Sequence, residues 1–128
     1  MSQLTNYAVA RTYDLEDRLV DFSSNVIRLV EALPPTKSAS YLANQMIRCG
    51  VAPSLLYGEA QSAESRDDFV HKMKVALKEL KETRISLKLV VRNGMAENIE
   101  SLCRENEELI AIFCKSIETA KRTTPIKQ

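Results

Sequence analysis

Residues 65–94 read SRDDFVHKMKVALKELKETRISLKLVVRNG, and their apolar positions decide the fold. Phe69, Met73, Ala76, Leu80, Thr83, Leu87 and Val90 step by 4, 3, 4, 3, 4 and 3. That spacing aligns side chains on one face of an α-helix, whereas a half-buried strand would alternate. Both ends carry boundary signals. Ser65 with Asp68 three residues later resembles a capping box, and Asp67 and Asp68 suit the positive end of the helix dipole. Asn93-Gly94 is a left-handed helix stop.

The same stepping recurs on either side. Leu15, Leu19, Phe22, Val26, Leu29 and Leu33 form a stripe that Pro34-Pro35 ends, because the residue before proline avoids helical dihedrals. Leu42, Met46, Cys49, Pro53, Leu56 and Ala60 form a second stripe on a segment that begins near Lys37 or Ser38, with Thr36 or Ser38 as its cap. Pro53 removes one backbone donor within it, which predicts a kink rather than a break, eased by Gly50 one turn earlier. Ile99, Cys103, Asn106, Ile110, Phe113 and Ile117 make the last stripe. Asn106 is polar at a core-type position. It either fixes register, as buried Asn does in coiled coils, or sits at the stripe's edge while Leu102 or Leu109 packs. The expectation is one all-α domain, an antiparallel up-and-down four-helix bundle. Its helices span about 13–33, 38–61, 65–93 and 96–120, helix 2 is kinked near Pro53, and the tails are 1–12 and 121–128.

Composition agrees. The chain has 128 residues, 45% of them hydrophobic, with 3 Gly and 4 Pro. So few turn residues suit a few long helices rather than many strands. Aromatics are 5% and Trp is absent, so base-stacking platforms for single-stranded nucleic acid are disfavoured. The formal net charge is +1. No global attraction to nucleic acid or membrane follows from it, and any such binding needs a local patch. No apolar run reaches membrane-spanning length, and the first residues lack a signal-peptide core. The three cysteines form no disulfide pattern, so the chain reads as cytoplasmic, with reduced thiols.

Charge is nonetheless unevenly spread. Residues 65–93 hold eight basic against four acidic side chains, and residues 96–120 hold two basic against six acidic. These two helices should pack side by side with opposite charges facing. Lys74, Lys78, Lys81, Lys88 and Arg92 share one helical face. That stripe is a candidate phosphate-backbone track. Its competing reading is a solvated face partly neutralised by helix 4, which the near-neutral total charge favours.

No catalytic constellation emerges. His71 is the only histidine, and Cys49, Cys103 and Cys114 show no metal-ligand spacing. Small buried packing is their expected role. Di-iron bundle sites need two Glu-x-x-His motifs, which one histidine cannot supply. Phosphate-binding loops and esterase or metalloprotease motifs are missing. The chain is therefore expected to be no enzyme, with no cofactor and no metal.

Val20, Ile27, Ile47, Val51, Leu55, Ile85 and Leu89 lie off the main stripes. One monomer's core cannot cover them all, which predicts a homo-oligomer with closed symmetry. The competing explanation is that a kink at Pro53 repacks helix 2 and buries them.

The stretch RCGVAPSLLYGEAQSAESRDDFVHKMKVALKELKET, residues 48–83, resembles the signature region of the bacterial four helix bundle protein family. That family includes proteins encoded in intervening sequences of 23S ribosomal RNA genes. The matching residues are Arg48, Gly50, Glu59, Ala60, Ser65, Asp68, Phe69, His71, Lys72, Met73, Ala76, Leu77, Lys78, Glu79, Glu82 and Thr83. Ala52 and Leu56 depart from the Ser and Asn common in the family, and the proline is placed differently. The resemblance implies a homopentamer around a central channel. It also implies a distant likeness to the basic accessory protein of diversity-generating retroelements, which binds reverse transcriptase and nucleic acid. Two functions follow as expectations. One is a non-enzymatic scaffold or adaptor for protein partners. The other is a nucleic-acid-binding pentamer using the basic stripe.

Overall fold

The computed structural model describes residues 14–122. It contains four helices: α1 (Leu15–Ala32), α2 (Lys37–Gln61), α3 (Arg66–Arg92) and α4 (Glu100–Arg122). Consecutive helices pack against each other and α4 closes back on α1, while the diagonal helices make no close backbone approach. This is the cyclic adjacency of an up-and-down bundle. The expected tails lie largely outside the described residues, although residues 121 and 122 belong to α4.

The boundaries follow from local chemistry. Asp14 caps α1 by accepting from the Asp17 N–H at 3.1 Å, Thr36 caps α2 through Ala39 N–H at 3.2 Å, and Ser65 caps α3 through Asp68 N–H at 3.0 Å. Each cap satisfies a donor that the first turn leaves orphaned. At the end of α3, Gly94 takes φ 64°. The Gly94 N–H then donates to Val91 O, and the Met95 N–H to Val90 O. Those two bonds make a Schellman stop.

The last helix starts later than expected, at Glu100 rather than near 96. Asn98 adopts φ 60°, a left-handed conformation that a helix cannot continue through. Met95, Ala96 and Ile99 instead pack against the core as a partial lid on that end of the bundle.

All four stripes meet inside. Phe22, Met46, Met73, Leu80, Leu109 and Phe113 are buried, and Phe69 packs partly buried against them. The edge of Tyr57 meets Phe113 at a centroid distance of 6.2 Å. Asn106 does not sit at the edge of the α4 stripe. Asn106 is fully buried, and Leu102 and Leu109 are buried on either side of it. The Asn106 amide donates to Leu80 O across the α3–α4 seam at 3.2 Å, while its Oδ1 has no partner.

The α1–α2 seam contains a close approach at Gly50. Helix α2 runs unbroken through Pro53. A Cβ placed on Gly50 would stand 2.6 Å from a Val26 methyl, so only glycine fits there. Beside it, Ser23 Oγ lies 2.9 Å from Gly50 O, Ser54 Oγ lies 2.9 Å from Leu19 O, and the two hydroxyls are 2.6 Å apart. With one hydrogen each, the hydroxyls satisfy two of these three contacts at a time.

Candidate interaction surfaces

Most of the residues that carry the family resemblance turn inward or sideways, while His71 and Lys78 are exposed. Arg48 on α2 donates to both Glu79 and Glu82 on α3, each at 3.2 Å. Lys72 on α3 reaches Glu59 on α2 at 2.7 Å. Ser65 caps α3, Thr83 Oγ1 donates to Glu79 O one turn back, and Gly50 admits Val26. The motif therefore fastens the α2–α3 hairpin and its docking on α1. Five of its charges, Arg48, Glu59, Lys72, Glu79 and Glu82, are spent on one another.

A family model described as 23S rRNA-intervening sequence protein matches residues 12–115. The chain belongs to this family. Among solved structures, the 23S rRNA-intervening sequence fold of this chain resembles a Bacteroides thetaiotaomicron protein of unknown function from the S23 ribosomal protein family. The likeness has a TM-score of 0.77 at 26% identity and covers 82% of this chain and 99% of that one. No curated protein matches.

Two outer surfaces stand out on this member of the 23S rRNA-intervening sequence family. The first is apolar. Val20 is 49% exposed, Ile27 40%, Ile47 40%, Leu55 64%, Ile85 59% and Leu89 44%. Six of the seven off-stripe residues thus stand in solvent on a single chain, so Pro53 does not repack them inward. Val51 is the exception and is half-buried. Antiparallel packing that sets Ser23 beside Gly50 and Leu19 beside Ser54 brings Ile27 alongside Ile47, and Val20 alongside Val51 and Leu55. Sequence reasoning missed Tyr41 on α2 and Val91 on α3, both more than half exposed. Tyr41 lies a helical repeat from Asn44 and Arg48, and that outward register was its available signal.

The second surface is basic. Lys74, Lys78, Lys81, Lys88 and Arg92 are all exposed along α3. None of them forms an ion pair among the described residues. The expected neutralisation by α4 reduces to one bridge, Arg84 to Glu107 at 3.1 Å. Of the other acids of α4, Glu100 lines a cleft with Lys88 and Arg92, and Glu118 one with Lys74, without forming an ion pair to them among the described residues. Glu105 and Glu108 hold Arg18 of α1, with closest contacts of 2.6 Å to each, and these carboxylates raise the guanidinium's affinity for its proton. That bridge closes the most sparsely packed seam of the bundle. Lys88 and Arg92 rim a cleft of about 570 Å³ whose floor includes Val91, Ala96, Ile99 and Cys103, with Glu97 and Glu100 on the far side.

The thiols fit no nucleophile. Cys49 is buried, Cys103 half-buried and Cys114 exposed, so the expectation of three buried cysteines fails at Cys114, on the outer side of α4. Burial pushes the Cys49 and Cys103 thiols up, which disfavours the reactive thiolate. His71 lines a shallow polar hollow with Arg66, Asp67 and Lys74, near the opposite end of α3 from Cys103. Among the described residues, no cluster of His, Cys, Asp and Glu is placed to hold a metal ion, and no helix is long and apolar enough to cross a membrane.

Proposed function

We propose that this chain is a non-enzymatic, self-associating cytoplasmic bundle whose assembled form serves as a scaffold for protein partners. One observation carries the reading. A single chain leaves Val20, Ile27, Ile47, Leu55, Ile85 and Leu89 each at least 40% exposed, although its own core is complete without them. Contiguous apolar surface of this kind marks an interface in a water-exposed protein, because covering it releases ordered solvent at about 25 cal/mol per Å². The α1–α2 portion suits a sister copy especially well. Apart from its capping end, α2 carries only Arg48 and Glu59 as charged residues, and both are already paired with α3.

The deciding measurement is the mass of the purified chain in solution by sedimentation or light scattering. A multiple of 14.4 kDa is expected. Ile47→Glu with Leu55→Glu should bring it down to one chain while helical circular dichroism is kept. Wild-type protein sedimenting as a single chain rejects the proposal.

A second reading has its own support. Five exposed cations without ion pairs could meet a phosphate backbone, and symmetry would multiply a patch too weak to act alone. It requires a salt-dependent shift with duplex DNA or structured RNA that Lys74→Glu, Lys78→Glu and Lys81→Glu together abolish.

A further inference from the structure

We propose that copies of this chain mate face to unlike face, the basic outer face of α3 docking on the acidic-edged outer face of α1 and α2 of the next copy. This rests on the self-association reading and specifies its geometry.

The exposed apolar residues fall into two sets on different helices. Val20, Ile27, Ile47 and Leu55 lie along α1 and α2, and Ile85 and Leu89 lie on α3. Helices α1 and α3 are diagonal in the bundle, with no close backbone approach between them. A two-fold contact pairs one patch with itself and leaves the other set bare. A contact between the two patches covers both with one kind of interface.

Charge selects the second arrangement. Ile85 and Leu89 sit within the row Lys74, Lys78, Lys81, Lys88 and Arg92. The exposed carboxylates of α1 include Glu16, Asp17 and Glu31, none of which forms an ion pair among the described residues. The outward cation on that helix, Arg28, is turned onto Asn25 at 2.7 Å. Pairing α3 with α3 would juxtapose like charges, and so would pairing α1 with α1. Pairing α3 with α1 sets lysines against carboxylates around an apolar centre, and like-charge juxtaposition is the costly alternative. Between them, the uncharged outer strip of α2 offers Ile47 and Leu55 to Ile85 and Leu89. The stripe then belongs to the interface and is withdrawn from any phosphate backbone. Such a contact uses two different faces of each chain, so it repeats around a ring when the rotation closes.

Charge reversal tests this directly. Lys81→Glu with Lys88→Glu on α3, and separately Asp17→Lys with Glu31→Lys on α1, should each lower the wild-type mass to that of one 14.4 kDa chain at low salt. The chain carrying all four substitutions should recover the wild-type mass, since its reversed faces again complement each other. All the altered side chains are exposed, so far-UV circular dichroism should remain helical throughout. The proposal is overturned if either pair leaves the mass unchanged, or if the fourfold variant stays dissociated. It is also overturned if the α3 pair keeps the wild-type mass while losing a salt-dependent shift with structured RNA, because the stripe then serves phosphate. A wild-type chain that is itself monomeric removes self-association altogether. An oligomer indifferent to charge reversal removes only this pairing.

Discussion

The α1–α2 seam and the α2–α3 seam are built on opposite principles. Between α1 and α2 the backbones come close over Gly50, Ser23 and Ser54, and serine hydroxyls lie against the facing carbonyls. Between α2 and α3, long charged side chains span the gap, Arg48 to Glu79 and Glu82 and Lys72 to Glu59. The surfaces over the two seams differ accordingly. Beside the first seam Val20, Ile27, Ile47 and Leu55 stand exposed. Over the second, the stems of long amphipathic side chains cover the seam and the charged heads face water.

Substitution at Gly50 should show the largest effect. Gly50→Ala forces a new methyl against buried, β-branched Val26. Overpacking costs about 1–3 kcal/mol and alanine's helix propensity returns about 1 kcal/mol, so a net loss of up to about 2 kcal/mol in urea unfolding is expected. A double-mutant cycle with Val26→Ala should show strong coupling, and additive behaviour would refute the close approach.

Asn106→Leu should act in the opposite direction at the α3–α4 seam. The substitution removes a buried oxygen with no partner, and a crevice of about 170 Å³ beside Asn106 has room for the larger side chain. A gain of about 1 kcal/mol and a higher Tm are expected, as when a poorly satisfied buried polar group gives way to an apolar one. A lower Tm would mean that the bond to Leu80 O outweighs the orphaned oxygen.

Arg18→Ala removes the bridge from α1 to Glu105 and Glu108, whose partners are partly exposed. Solvent screening limits the loss to about 1 kcal/mol or less, and high salt should shrink it further. The smallest effect is chemical. At neutral pH, iodoacetamide should modify exposed Cys114 ahead of Cys103 and Cys49. The two buried thiols should become reactive only as rising pH overcomes their elevated proton affinity, a sequence that mass mapping of the labelled peptides reads out.

Much of this fold was legible in advance, for reasons that differ by element. The start of α3 is written in Ser65 and Asp68 and its end in Asn93-Gly94, because caps act over three or four residues. The start of α4 was not legible. Ala96 and Ile99 continue its apolar spacing, yet Asn98 turns left-handed and those residues close the end of the bundle instead. Asn106 looked like either a core residue or an edge residue, and only the neighbours that α3 supplies made it buried. The off-stripe apolar residues could be named from spacing, but whether Pro53 would fold them inward depended on how α2 meets α1.

Spacing, caps and helix breakers determined the four helices and the stripe each one buries, since those signals act within a turn or two of their own backbone. Which helix faces hold one another, and which remain for another molecule, the tertiary structure alone decided. Arg48 and Arg18 found their carboxylates 31 to 90 residues away, while Lys74, Lys78, Lys81 and Lys88 of α3 were left without any among the described residues. Ion pairing depends on distance in space, and a chain's local pattern does not carry that distance.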